Sequence, residues 1–298
     1  MEMLTFSHVK KYFGTKQVLK DVTFRVPEHT VFGFVGQNGA GKTTAMKLVL
    51  GLLAADGGKI LVNGEPVRYG STETNRFIGY LPDVPEFYSF MTPMEYLQFC
   101  GEIAGLPAKE IKGRSVELLR LVGLEQEKRR IRGFSRGMKQ RLGIAQALIG
   151  RPKLLICDEP TSALDPAGRK ELLNILVAAK EETTVLFSTH ILSDVEHICD
   201  ELAFLHEGKI VLKGTLEEVK KLRKVTAANL ETERPRDADV LRQAFPFLKM
   251  AGENRLRLEN PERMPEILYF LADRKIPIQR IERLEPTLED LFLEVIGK

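Results

Sequence analysis

The sequence predicts an α/β fold built on a parallel core sheet, and three observations carry that prediction. First, Val31-Phe32-Gly33-Phe34-Val35 and Leu154-Leu155-Ile156-Cys157 are short runs, apolar on both faces, as strands inside a parallel sheet must be. Second, a helical stretch separates the latter from a third such run, Thr184-Val185-Leu186-Phe187-Ser188, in the strand–helix–strand rhythm of a crossover connection. Third, a hydrophobic fraction of 43% in 298 residues allows a sizeable core, in one large domain or in one domain plus a smaller appendage.

Each element has a local signal. Leu4, Phe6 and Val9, then Val18, Val22, Phe24 and Val26 before Pro27, alternate like paired strands. Lys59-Ile60-Leu61-Val62 is a further strand between Gly57-Gly58 and a hairpin turn at Asn63-Gly64. Together these predict an antiparallel β subdomain. A helix over Thr43 to Leu50 stops near Gly51. From about residue 85 to 150 the pattern is helical. Thr92 caps one helix, with Pro93 at its first position and Glu95 completing a capping box. Leu118, Leu119 and Val122 form a stripe closed by Gly123, and a helix after Ser135 carries Met138, Leu142, Ala145 and Leu148 on its inner side. Leu172, Leu173, Leu176 and Val177 mark the next helix.

A boundary is expected near residue 220, giving a domain over 1–220 and a small α+β accessory domain over 221–298. Thr215-Leu216-Glu217-Glu218 starts a helix that runs into the basic Lys220-Lys221-Leu222-Arg223-Lys224. A polar linker is expected over Glu231 to Asp239. The ending Pro286-Thr287-Leu288 opens a last helix, with Asp290 as box partner of Thr287 and an apolar face of Leu288, Leu291, Phe292 and Val295.

Composition excludes several classes. A net charge of +3 is too small for a dedicated nucleic-acid binder or an anionic membrane surface. No run approaches the roughly 18 apolar residues that a spanning helix needs, and Met1 to Phe6 lack the build of a secretory signal. A cytosolic chain is therefore expected, meeting the inner face of a membrane only through partners. Cys100, Cys157 and Cys199 are too scattered for a disulfide framework or a zinc site.

The chemistry centres on Gly36-Gln37-Asn38-Gly39-Ala40-Gly41-Lys42-Thr43, which fits G-x-x-x-x-G-K-[ST] between a strand and a helix. Glycines let the backbone wrap phosphate oxygens with its N–H groups turned inward, and the helix start adds its positive end. Lys42 is expected to reach the β- and γ-phosphates, the Thr43 hydroxyl to ligate Mg²⁺, and Thr44 to contact the α-phosphate. The loop alone admits kinases and GTPases as well as ATPases.

Two further strand ends complete the site. Asp158 and Glu159 follow a buried strand; Asp158 is assigned to Mg²⁺, directly or through water, and Glu159 to polarising an attacking water as general base. His190, after Ser188-Thr189, is assigned to orienting the γ-phosphate and the Glu159 region, since neighbouring strands deliver their ends to one crevice.

With these residues in place, the chain over roughly 1–220 resembles the ATP-binding cassette (ABC) family of P-loop NTPases. Phe134-Ser135-Arg136-Gly137-Met138-Lys139-Gln140-Arg141 is similar to that family's signature segment, usually LSGGQ. Ser162-Ala163-Leu164-Asp165 resembles its D-loop and His190 its switch histidine. The resemblance implies an ATPase that takes ATP and Mg²⁺ and pairs with a second ABC subunit, identical or not. Ser135 and Gly137 would then close over the γ-phosphate held by that partner. It also implies separate transmembrane permease subunits, with Val84 to Met91 as candidate coupling contacts. Phe13 stands at the family's adenine-stacking position, with Tyr12 the alternative. The chain departs from the pattern at Phe134, Arg136 and Met138 in the signature, and at Asp83, where a glutamine is usual. Asp83 is shorter and donates no hydrogen bond; it serves Mg²⁺ or its water, or stands in solvent.

The C-terminal ending is similar to the extension of bacterial drug, antibiotic and sodium exporter subunits, so ATP-driven export is the expected activity. The alternative is a non-transport ABC ATPase acting on ribosomes or DNA, disfavoured by a single phosphate loop and no sustained heptads. A cassette that binds ATP without hydrolysis is disfavoured because Lys42, Asp158, Glu159 and His190 are all present.

Overall fold

The strands that carry the site residues lie side by side in one sheet. A computed structural model of the chain describes residues 2–222, 227–284 and 287–297; Arg223 and Lys224 of the basic run, and Pro286 before the last helix, lie outside them. Two units divide the chain, Met1–Leu216 and Glu217–Lys298.

In the first unit the elements are β1 (Glu2–Phe13), β2 (Lys16–Pro27), β3 (Val31–Val35), α1 (Lys42–Val49), β4 (Gly57–Val62), β5 (Glu65–Pro66), β6 (Ile78–Leu81), α2 (Pro93–Ile103), α3 (Ala108–Leu121), α4 (Arg136–Leu148), β7 (Leu154–Asp158), α5 (Pro166–Ala179), β8 (Thr184–Thr189), α6 (Leu192–Ile198), β9 (Glu201–His206) and β10 (Lys209–Thr215). The core sheet runs β10-β9-β3-β8-β7-β6. Every pair in it is parallel except β10 with β9. β3, β7 and β8 are buried along their whole length, which is why their sequences do not alternate. Val35 pairs with Thr189, and Asp158 with Ser188. The loop after β3, the acids at the end of β7 and the histidine after β8 therefore leave one edge of the sheet.

The antiparallel subdomain is β2-β1-β4-β5. Phe6 pairs with Phe24 across β1 and β2, and their rings stack with centroids 4.6 Å apart. Asn63 and Gly64, at φ 49° and 79°, make the left-handed two-residue turn expected between β4 and β5. In the helical subdomain Thr92 and Glu95 form the capping box reciprocally. Along α4 the inner side differs from expectation: Gln140 is buried and Met138 only half so. Gln140 fits because its amide donates to the Asp83 carbonyl at 2.6 Å, whereas the first turn of the helix stands partly in solvent.

α7 (Leu216–Lys221) follows Thr215, which ends β10 rather than starting the helix. The second unit then contains β11 (Ala227–Thr232), α8 (Pro235–Ala244), β12 (Lys249–Met250), β13 (Arg255–Leu258), α9 (Met264–Asp273), β14 (Ile278–Leu284) and α10 (Leu288–Ile296). Its antiparallel sheet runs β12-β13-β11-β14, a split β-α-β arrangement. Leu230, Leu256 and Leu258 of the sheet pack with Leu241 of α8 and Ile267 of α9. The polar linker expected over Glu231 to Asp239 is absent. Strand β11 runs to Thr232, and α8 begins at Pro235, where proline's fixed φ suits a first helical position. Ala238 and Leu241, one turn apart, anchor α8, while its exposed Arg236, Asp239 and Arg242 mask the helix in the sequence.

Candidate active site

Between Val35 and Lys42 the chain makes the phosphate loop. Gly39 and Gly41 stand at φ 82° and 113°, a region that side chains with a Cβ rarely adopt. A Cβ at Gly36 would lie 2.5 Å from the Leu205 carbonyl oxygen, so only glycine fits there. Gly36 N donates to Thr189 O at 3.2 Å, tying the start of the loop to β8, and Ala40 N donates to Gln37 O at 3.1 Å, closing a turn within it. A cleft of about 470 Å³ opens over it, lined by Asn38, Gly39, Gly41, Lys42, Thr43 and Thr44, with Val18, Asp83 and Glu159 around them. Backbone N–H groups at a helix start make this an anion site.

Lys42 is buried and anchored. Its Nζ donates to Gly36 O at 2.6 Å and Gln37 O at 3.2 Å, and lies 3.0 Å from Glu159 Oε1. That last contact is an ion pair without an aligned hydrogen bond. The other carboxylate oxygen, Glu159 Oε2, is 2.8 Å from His190 Nδ1. Lys42, Glu159 and His190 thus form one continuous chain of polar contacts from loop to strand end.

Glu159 sits at φ 48°, a left-handed conformation uncommon outside glycine. Its N–H is held by Ser188, donating to the carbonyl at 3.2 Å and to Oγ at 3.0 Å. Ser188 Oγ in turn donates to Asp158 Oδ1 at 2.6 Å. One fully buried hydroxyl therefore fixes both acids. Sequence reasoning missed this role, which depends on the pairing of β7 with β8. Nearby, burial and then the charges of Asp158, Cys157 and Asp83 push the Tyr80 phenol up to about 12, so it stays protonated at neutral pH.

Asp83 lines the cleft, with Oδ1 accepting from Ser162 Oγ at 2.6 Å. The Thr43 hydroxyl with the Asp158 and Asp83 carboxylates is an all-oxygen donor set, which suits Mg²⁺. Among the described residues no group of three His, Cys, Asp or Glu side chains forms a metal cage of its own.

Other sequence-predicted residues lie outside this cleft. Ser135 is the exposed N-cap of α4, its Oγ accepting from Met138 N at 3.2 Å, and Gly137 follows in the first turn. Phe13 and Tyr12, at the end of β1, are 48% and 42% exposed, so neither is a core aromatic. Lys11 Nζ stands 5.4 Å from the Phe13 ring centroid. Val18, which sequence reasoning did not assign to the site, borders the loop.

Comparison with known proteins places this geometry. The profile of the ABC transporter family matches residues 19–162. An ABC transporter ATP-binding protein of Bacillus subtilis (strain 168), YxlF, is 36% identical over 298 residues, which is 99% of each chain. The chain belongs to the ABC transporter ATP-binding proteins. The profile of the ATP-binding protein DrrA1-3-like C-terminal domain matches residues 214–296 of this ABC protein. The bacitracin transport ATP-binding protein BcrA of Bacillus licheniformis is 32% identical over 293 residues, 96% of this chain and 95% of BcrA. A solved ATP-binding subunit of an ABC transporter superposes with a TM-score of 0.66 and 34% identity over 74% of this chain and 92% of that one. The expected cassette fold, with its antiparallel β and helical subdomains, is borne out, and the protein is an ATPase subunit of a transporter.

Proposed function

We propose that this ABC ATPase closes as a pair of cassettes on Mg-ATP and drives export through separate transmembrane subunits. The observation that carries the pairing is the exposed start of α4. Ser135 and Gly137 form a second anion-binding helix start that does not line the chain's own phosphate cleft. A second ABC subunit, identical or different, brings that end onto the nucleotide. Within the cleft the Gly36–Thr44 backbone cradles the phosphates and Lys42 neutralises their charge. Glu159 accepts a proton from the attacking water and His190 orients Glu159. Thr43, Asp158 and Asp83 would hold Mg²⁺ together with the phosphates, and the ion would supply charge neutralisation there. Phe13 stacks on adenine.

Among the described residues no helix is long and apolar enough to cross a membrane, and a peripheral place on the inner face is part of the same proposal. Val84, Tyr88 and Phe90 are each more than half exposed, as contacts to a permease partner would be. The DrrA-like second unit and the likeness to a bacitracin transport protein support an export role. The test is sedimentation of Glu159→Gln with and without Mg-ATP, beside a tagged pull-down from detergent-solubilised membranes. Nucleotide-dependent dimers and a co-purifying multi-spanning protein are expected. A chain that stays monomeric, or that brings down ribosomal proteins or nucleic acid, would overturn the proposal.

A further inference from the structure

Asp83 and Arg136, two positions at which the sequence departs from the family's pattern, meet in space. Asp83 follows β6, Arg136 opens α4, and Ser162 stands in the turn after β7. Ser162 Oγ donates to Asp83 Oδ1 at 2.6 Å. Arg136 Nη2 donates to Ser162 Oγ at 3.2 Å and lies 3.4 Å from the same Asp83 Oδ1. Gln140, one turn along α4, holds the Asp83 backbone by donating to its carbonyl at 2.6 Å. Both the main chain and the carboxylate of Asp83 are therefore gripped from α4.

The placement has an electrostatic reason. Asp83 lines the phosphate cleft, and a carboxylate beside phosphates raises their mutual repulsion unless a cation or a fixed donor offsets it. Both contacts come from one guanidinium nitrogen, Nη2, whose two N–H groups serve the hydroxyl and the carboxylate together. The Arg136 and Asp83 side chains are 46% and 49% exposed, so this ion pair alone is weak. Sharing the Ser162 hydroxyl makes it a three-membered network instead. We propose that Arg136 and Ser162 are positioning residues that hold the Asp83 carboxylate at the rim of the phosphate cleft. The start of α4 thereby sets how tightly the same chain takes up Mg-ATP. This rests on the ATPase reading of the cleft.

The test is a double-mutant cycle on the full chain, with the affinity of a fluorescent ATP analogue measured as Mg²⁺ is titrated. Arg136→Ala is expected to weaken Mg²⁺-dependent binding about threefold or more when Asp83 is present, and to have no effect in an Asp83→Ala background. Ser162→Ala behaves likewise, and Arg136→Lys falls between. In steady state KM and the Mg²⁺ requirement move more than kcat. Equal effects of Arg136→Ala in both backgrounds overturn the inference. Lys42→Ala separates the two failures. If it binds the analogue as well as the wild type does, the cleft reading falls and the inference with it. If it loses binding while Arg136→Ala acts alike in both backgrounds, the inference alone falls.

Discussion

Lys42 and Glu159 form a nearly buried ion pair, Nζ to Oε1 at 3.0 Å, with side chains only 5% and 14% exposed. The cation proposed to meet the phosphates is thus held by the carboxylate proposed to act on the water. In Glu159→Gln the competing charge is gone while the shape stays, so nucleotide affinity should hold or rise. Hydrolysis should fall about 100-fold or more, because the amide takes no proton. Equilibrium nucleotide binding beside phosphate release checks both halves. Wild-type turnover in this variant would remove Glu159 from the role of base.

Ser188 ties the two acids together through one hydroxyl, donating to Asp158 Oδ1 and accepting from Glu159 N. Ser188→Ala takes the donor from buried Asp158 Oδ1, at a cost of about 1–3 kcal/mol, while Glu159 N keeps only the Ser188 carbonyl. A lowered thermal midpoint is expected. The loss of kcat should exceed the loss of affinity, since Glu159 is kept at φ 48° by this contact and the adjacent carbonyl. Equal losses in the two would mean that the hydroxyl supports the fold alone.

The adenine partner is decided by comparing Phe13→Ala with Tyr12→Ala. The backbone N–H of Tyr12 donates to Asp56 Oδ2 at 2.6 Å, and Lys11 pairs with the same oxygen at 3.1 Å, so the end of β1 is braced. Those contacts, the Tyr12 amide first, also lower the Asp56 carboxyl. On that support Phe13→Ala should weaken ATP binding about fivefold or more, as lost base stacking does, with Tyr12→Ala close to wild type. The opposite ranking, read by nucleotide titration, would move the role to Tyr12.

What the sequence made readable divides along a physical line. The phosphate loop, the Asp158-Glu159 pair and His190 each sit directly after a strand whose apolar run announces it, so local pattern located them. The register Val35 with Thr189 and Asp158 with Ser188 then brings those ends together, as parallel pairing requires. The Ser188 bridge, Val18 at the loop and the Arg136–Ser162–Asp83 network depend on contacts between distant elements, and no local pattern encodes them. Helix α8 was hidden for another reason. Its charged residues outnumber the two buried anchors, Ala238 and Leu241, and composition read as linker. On α4, periodicity chose Met138 for the inner side because it scores apolar, while the Asp83 carbonyl that Gln140 satisfies lies on another element.

Asp194, on α6 just beyond His190, offers a test by pH. Its side chain is 2% exposed and accepts from Thr161 Oγ1 at 2.7 Å, with Arg169 Nη1 at 3.9 Å. Burial raises its carboxyl above the ordinary 3.8, against the Thr161 hydrogen bond and the charges of Arg169, His190 and His197. In the window above 3.8 the folded chain keeps a proton that the unfolded chain has released. Stability from this group is therefore greatest below that value and is lost as pH rises through the raised one. An asparagine side chain at this position would carry no charge at any pH and would still accept from Thr161 through its amide oxygen. Asp194→Asn should accordingly raise the thermal midpoint at about pH 7, with the gain shrinking towards about pH 4. Thermal unfolding at both pH values measures this directly. A gain that is constant across the range would assign it to packing, and a loss at neutral pH would show that the Arg169 and histidine charges outweigh the burial.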